Sequence, residues 1–164
     1  ELSRLLNRVG TWLKAAQAAL PEDRQVDRAA MRAYLDRRLA ELETTGVIRL
    51  TASGRDAIER YRDRLLLEVS AEGLRSVWIH ADFCPENIIT RGDEVTVLDF
   101  MMAKTGTAYH DLAHLFMHLE AMKVKPWFVP GVIGRLQREL LAGFEPGLTA
   151  SRPLFALILL QHVV

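Results

Sequence analysis

Residues 74–107 constrain the fold most, because their pattern differs from that of both flanking regions. Three short runs rich in β-branched residues occur here, at 76–80, 87–90 and 94–99. The second and third runs are separated by an Arg-Gly-Asp sequence at 91–93, and Gly-Asp between β-branched runs is typical of a hairpin turn. We therefore predict a small β-hairpin set between helical regions.

Helical periodicity fills the rest of the chain. In residues 1–73 the apolar positions recur every three or four residues, which predicts three helices. Pro21 stops the first helix, Gly46 caps the second, and the third ends near Gly73. The same periodicity after residue 107 predicts three more helices. They cover 110–122, 131–144 and 152–164.

Composition limits the classes of partner. The 164 residues include 21 Lys+Arg and 21 Asp+Glu, so the formal net charge is zero. A general nucleic-acid or membrane-surface binder would carry a basic excess, and we expect neither partner. Cys84 is the only cysteine, which excludes an internal disulfide and favours a reducing, cytoplasmic setting. The first residue is not methionine and the last lies inside an apolar helical pattern, so we expect a fragment of a larger protein.

The motif H-x-D-x-x-x-x-N begins at the end of the first β-rich run. It comprises His80, Asp82 and Asn87, and Asp99 follows at the end of the run 94–99. Asp82 comes just after a strand, where a carboxylate can point into a cleft and accept a proton from a hydroxyl group. A turn aspartate that caps local N–H groups is the alternative for this residue taken alone.

Asn87 and Asp99 offer the oxygen atoms that magnesium prefers. Asp99 ends an apolar strand, where burial of an unpaired charge would be expensive, so we expect a cation or a donor beside it. The alternatives are an Asx turn at Asn87 and a salt bridge at Asp99. The hairpin length brings the two residues side by side, where one ion could bridge them. We expect His80 to brace the loop through an imidazole hydrogen bond to backbone near Asp99, with proton transfer as its alternative role.

Phosphoryl transfer to a hydroxyl group uses this order of groups, and the sequence resembles a family that performs it. The stretches 80–87, 97–100 and 109–113 read HADFCPEN, VLDF and YHDLA. They resemble the H-G-D-x-x-x-x-N, I-D-[FW] and D-L-A patterns of the aminoglycoside phosphotransferase and choline kinase-like family, which has the protein-kinase fold. Ala81 stands where that family usually has Gly, and Met101 stands where protein kinases have the Gly of their Phe-Gly pair.

The resemblance implies ATP and Mg²⁺ as cofactors. It implies Asp82 as the catalytic base, Asn87 and Asp99 as the ligands of the metal and its nucleotide, and Asp111 as a structural acid at a helix start. The parent protein would move the γ-phosphate of ATP to a hydroxyl group of a metabolite or an aminoglycoside-like acceptor.

The resemblance also implies an α+β fold, namely the mostly helical C-terminal lobe of a kinase-like protein. Residues 1–73 would be the substrate-side helices, 74–107 the catalytic loop and metal-binding hairpin, and 108–164 the C-terminal helices. No Gly-rich loop and no strand lysine precede the motif. We therefore expect an N-terminal lobe of the same protein as the missing partner, and we expect this chain alone to be inactive.

Two other functions stay open. The chain could be a non-catalytic kinase-like scaffold or binding lobe, or a metal-dependent phosphohydrolase. The second alternative would use Asp82, Asp99 and a stripe of histidines at 110, 114 and 118, of which two could bind zinc. Packing of that helix face against the hairpin is the other interpretation of the stripe. Cys84 could be a nucleophile only with a depressed pKa, and apolar packing is its default role.

Overall fold

The computed structural model describes residues 1–46, 48–69 and 74–163. It is mostly helical with two small antiparallel sheets, as the α+β prediction requires. Two single-turn 3₁₀ helices, Pro85–Asn87 and Phe100–Met102, lie beside the sheets. In chain order the elements are α1 (Leu2–Ala19), β1 (Pro21–Gln25), α2 (Arg28–Thr44), α3 (Ala52–Glu68), β2 (Arg75–Ile79), β3 (Ile88–Arg91), β4 (Glu94–Val97), β5 (Lys104–Thr107), α4 (His110–Met122), α5 (Pro130–Phe144) and α6 (Pro153–Val163).

The helix ends follow local sequence signals. Gly46 has a φ of +72° and its N–H bonds to the Glu43 carbonyl at 3.1 Å, so it closes α2 as the sequence predicts. The third helix ends at Glu68, and Gly73, where its end was predicted, lies outside the described residues. Val164, the predicted end of the last helix, lies outside them too. Within these ranges, no helix has both the length and the apolar character needed to cross a bilayer.

The predicted hairpin is present. β3 and β4 pair from Ile88 opposite Val97 to Arg91 opposite Glu94, and Gly92 turns the chain with a φ of +59°. The other sheet has the order β1-β2-β5, with β2 in the middle.

Two strands were not predicted. The all-helical prediction for 1–73 is wrong at β1, and 104–107 carried no strand prediction although β5 lies there. Both strands pair antiparallel with β2. Neither has alternating apolar residues of its own, so the pairing with β2 determines their structure.

Two glycines allow α1 and α5 to touch backbone to backbone. A β-carbon on Gly10 would overlap the carbonyl oxygen of Leu140, and one on Gly143 would overlap that of Asn7. The Thr11 hydroxyl donates to the Gly143 carbonyl at 3.1 Å across the same contact. This crossing fixes α5, which packs on α4, and α4 in turn begins beside the H-x-D motif.

Candidate active site

The H-x-D motif follows β2 directly, and the carboxylate of Asp111 holds its backbone in place. Asp111 lies in the first turn of α4 and has no exposed surface. Its Oδ2 accepts the His80 N–H at 2.7 Å, and its Oδ1 accepts the Ala81 N–H at 2.9 Å. Charge-assisted hydrogen bonds and the positive end of the helix dipole compensate the burial of this charge. Asp111 therefore ties the start of α4 to the loop that carries Asp82.

The His80 side chain connects this loop to the hairpin. It is fully buried, and its Nε2 lies 2.8 Å from the Leu98 carbonyl oxygen, one residue before Asp99. Its Nδ1 accepts the Asp82 N–H at 3.3 Å. A carbonyl oxygen can only accept and an amide N–H can only donate, so the ring carries its hydrogen on Nε2. The sequence predicted this contact, and both ring nitrogens are occupied by backbone groups.

The side chain of Asn87 is directed at Asp82. Its Nδ2 donates to the Asp82 backbone carbonyl and to Oδ2 of the Asp82 carboxylate, each at 2.9 Å. Because both partners are acceptors, the amide nitrogen must face them, and Oδ1 points away. The structure brings Asp82 and Asn87 together as the motif predicts, with one Asp82 oxygen fixed.

Asp99 lies next to Asn87 but is exposed, which corrects one expectation. The Leu98 N–H donates to the Asn87 carbonyl at 2.9 Å, so Asp99 comes directly after a residue paired with Asn87. The carboxylate is exposed to solvent, and its Oδ1 accepts the Met101 N–H at 3.4 Å. The argument from the cost of a buried charge is therefore wrong for Asp99, because the strand ends at Val97 and the chain turns outward. The hairpin does bring the Asp99 position next to Asn87, and a magnesium ion bridging the two stays a prediction.

Backbone strain concentrates at this site. Among the described residues, the non-glycine positions with positive φ are Ala81 at +66°, Asp99 at +59° and Tyr109 at +71°. Ala81 and Asp99 belong to the loop and hairpin described above, and Tyr109 lies two residues before Asp111. The left-handed region costs a non-glycine residue about 1–2 kcal/mol. At Ala81 this conformation explains the glycine that is usual in the resembling family, because glycine adopts it without strain.

Aromatic rings enclose the bracing histidine. The His80 ring lies 4.9 Å from that of Phe100 and 6.0 Å from that of Phe83, measured between centroids. Trp78 packs on Phe100 at 5.7 Å. Phe100 and its neighbours Met101 and Met102 remain substantially exposed. The loop after Asp99 thus presents an apolar surface next to the candidate metal ligands.

Two side chains of the loop, Cys84 and Glu86, have shifted pKa values, and both shifts bear on their charge. Burial raises the pKa of the Cys84 thiol, so the condition for a nucleophilic cysteine is not met. Hydrogen bonds from the backbone of Glu86 and from the Cys84 side chain lower the pKa of the Glu86 carboxyl. The sequence reasoning did not single out Glu86, although it lies inside the motif between Asp82 and Asn87.

The histidines of the stripe contact α6 and each other, and the packing of the stripe against the hairpin stays a prediction. His110 and His114 contact the ring of His162 on α6, with centroids 4.9 and 5.3 Å apart. His114 and His118 contact each other through their Nε2 atoms, which are 3.2 Å apart. In the part of the chain that the structure describes, no three His, Cys, Asp or Glu side chains form a group that could hold a metal ion.

The sequence matches the model of the phosphotransferase enzyme family (APH) over residues 1–154, and the chain belongs to this family. No curated protein matches it. Among solved structures, a glucosamine kinase in one crystal form superposes with a TM-score of 0.60 and 20% identity, over 98% of this chain and 47% of that one. A second crystal form gives 0.57 and 17%, over 97% of this chain and 44% of that one. The chain has the kinase-like fold and spans about half the length of these relatives.

Proposed function

We propose that the complete protein transfers the γ-phosphate of ATP to a hydroxyl group of a small molecule, with this chain as its C-terminal lobe. The observation that carries the proposal is the loop between β2 and β3. Asp111 anchors its backbone, Asn87 holds the carboxylate of Asp82, and the Asn87 backbone pairs with Leu98, the residue before Asp99. Membership of the phosphotransferase family supports the same reaction class.

In the proposed reaction Asp82 accepts the proton of the acceptor hydroxyl. The acceptor oxygen forms a bond to the γ-phosphorus, and the bond from that phosphorus to the bridging oxygen of ADP breaks. The free oxygen of the Asp82 carboxylate is the proton acceptor, since Oδ2 already receives the Asn87 amide. Positioning and neutralisation of charge supply most of the acceleration in such reactions.

The residues at the hairpin suit a magnesium ion. Asn87 turns its amide nitrogen to Asp82, which leaves its Oδ1 available, and Asp99 offers a solvent-accessible carboxylate. Hard oxygen ligands are the ones that Mg²⁺ binds. When bound, the ion would neutralise phosphate charge. Asn87 and Asp99 would hold it, and His80 would keep the Asp99 end of the hairpin against the Asp82 loop.

We also propose that the chain has the three functional regions expected from the sequence. They are the substrate-side helices in 1–73, the catalytic segment in 74–107 and the C-terminal helices in 108–164. The second half of the nucleotide site would come from an N-terminal lobe of the same protein. The relatives, about twice as long as this chain, support this arrangement.

The acceptor is the open part of the proposal, and a panel assay addresses it. The complete protein would be incubated with ATP and Mg²⁺ and with glucosamine, other hydroxyl metabolites and aminoglycosides in turn. Glucosamine belongs in the panel because the structurally similar proteins are named glucosamine kinases. Turnover stimulated by one acceptor and lost on chelation of Mg²⁺ would support the proposal.

The panel assay also separates the alternatives. An intact two-lobe protein that neither binds nor hydrolyses ATP with any acceptor would favour the scaffold function. Hydrolysis of a phosphorylated compound without ATP would favour the phosphohydrolase, which has no observation of its own in the described residues.

A further inference from the structure

A cavity of about 290 Å³ lies at the end of β2 that is distant from the H-x-D motif. Arg75, the first residue of β2, lines this cavity, whereas His80 follows the last residue of that strand. At about 3.3 Å per strand residue, the two positions are roughly 16 Å apart. The described side chains that line the cavity come from α1, β2, α5, α6 and the segment before α4. The cavity is therefore separate from the proposed active site.

Two positive side chains stand at this cavity without a counter-charge. Lys14 on α1 and Arg75 on β2 both line it and are exposed to solvent. The Lys14 ammonium lies 4.9 Å from the centre of the Phe144 ring. No carboxylate in the part of the chain that the structure describes pairs with either cation. The mouth of the cavity consequently favours a negatively charged group.

The inner wall of the cavity is apolar apart from one amide. Val77, Phe144 and Leu154 supply apolar surface. Tyr109 supplies its ring, because its hydroxyl already donates to the Glu145 carboxylate at 2.8 Å. The amide belongs to Gln17, which lines the same cavity. An apolar wall with a single polar group is typical of a small-molecule site.

The Gln17 amide lacks a partner that it needs. The residue is only 6% exposed, and its Nε2 is buried without a hydrogen-bond partner among the described residues. A buried N–H group in this condition destabilises the fold. The last torsion of a glutamine side chain is broad, so the amide can rotate its N–H toward an acceptor atom in the cavity. Gln17 follows Lys14 by three positions on one face of α1, so both can contact the same ligand.

We propose that this cavity is a second small-molecule site, which binds a small organic carboxylate with an apolar body. Lys14 and Arg75 neutralise the carboxylate, and Gln17 donates to one of its oxygens. The apolar wall contacts the body of the ligand. Lysine and arginine side chains donate and cannot accept, so a cationic ligand is disfavoured. The volume lies near the lower end of the range for ligand pockets, about 300–1,000 Å³, which indicates a small ligand.

The test is ligand-observed NMR titration of the complete protein with phenylacetate, with acetate and phenylacetamide as matched probes. Acetate keeps the carboxylate without the aromatic body, and phenylacetamide keeps the body without the charge. Phenylacetate should bind at least about tenfold more tightly than either probe, because burial of a ring and a hydrogen bond to a charged group each contribute about that much or more. Each titration is repeated with ATP and Mg²⁺ present.

Variants of the polar groups assign the binding to this cavity. Lys14→Met combined with Arg75→Met should weaken phenylacetate binding by at least about tenfold. Gln17→Met should weaken it by about fivefold without lowering the melting temperature, because the unpartnered N–H group is removed with little change in volume. Lys125→Met is the matched control, because Lys125 is an exposed lysine that does not line the cavity. Thermal melts of all variants check folding.

The proposal is supported by saturable phenylacetate binding in the wild type and in Lys125→Met, weaker binding in the cavity variants, and equal affinity with and without ATP. Equal affinity for phenylacetate and either matched probe would overturn it. Unchanged affinity in the folded cavity variants, or displacement of phenylacetate by ATP, would do the same. A folded complete protein that shows no saturable binding of phenylacetate would also overturn it.

Discussion

The Asp111→Asn substitution tests how the loop that carries Asp82 is held. Asp111 is fully buried and its two carboxylate oxygens accept from the backbone N–H groups of His80 and Ala81. Hydrogen bonds to a charged group contribute about 1.5–3 kcal/mol each. Asparagine keeps one neutral hydrogen bond of about 1 kcal/mol and turns an N–H group toward the second donor. The free energy of unfolding should therefore fall by about 2–5 kcal/mol.

Thermal unfolding followed by circular dichroism measures this loss. For a chain of this size a change of 1 kcal/mol shifts Tm by about 2–4 °C, so the variant should melt roughly 4–20 °C below the wild type. Asp93→Asn is the matched control, because Asp93 is an exposed hairpin residue that pairs with Arg8. Exposed ion pairs contribute at most about 1 kcal/mol. If Asp111→Asn melted together with Asp93→Asn, the argument for Asp111 as the anchor of the loop would fail.

Three further predictions concern stability. Gly143→Ala should lower the free energy of unfolding, measured by chemical denaturation, by about 1–3 kcal/mol or more. The new methyl group would meet the Asn7 carbonyl across the α1–α5 contact. An unchanged denaturation midpoint would contradict that packing. Ala81→Gly should raise the denaturation midpoint, because glycine adopts the φ of +66° without strain. The relieved strain is about 1–2 kcal/mol, and the greater freedom of glycine in the unfolded chain offsets part of it. A lowered midpoint would refute the strain argument. Burial lowers the pKa of His162 to about 4 and lowers that of His114, so the unfolded chain binds more protons below its ordinary histidine pKa of about 6.5. Stability should consequently fall as pH drops from about 6.5 toward 4, and His162→Gln should flatten that slope in melts at a series of pH values; equal slopes would contradict the assignment.

The parts of the fold with a strong local signal were predictable from sequence. The hairpin follows from β-branched runs around Gly92, and α4 and α5 follow from their apolar periodicity. The strands β1 and β5 have no such signal, since one begins with a proline and the other contains Gly106. Their conformation depends on pairing with β2, which is a long-range property.

The candidate site was predictable in its connections but not in its exposure. The position of His80 two residues before Asp82 led to the prediction of an imidazole contact with backbone near Asp99, and the motif predicted that Asp82 and Asn87 meet. The exposure of Asp99 depends on where the chain turns after β4, which its apolar neighbours did not reveal. The hydrogen bonds of Asp111 join residues about 30 positions apart, and only the family resemblance indicated its structural role.

Asp82→Asn in the complete protein tests the central proposal most directly, because asparagine keeps an oxygen that can accept the Asn87 amide but removes the proton acceptor. ATP affinity, measured by calorimetry with Mg²⁺, and acceptor-stimulated turnover would be determined on the same preparation. The account predicts ATP affinity close to that of the wild type and turnover reduced by at least about 10²-fold, the lower end of a general-base contribution. Turnover near the wild-type rate would contradict the role of Asp82 as base, and loss of ATP affinity together with turnover would show that Asp82 is structural.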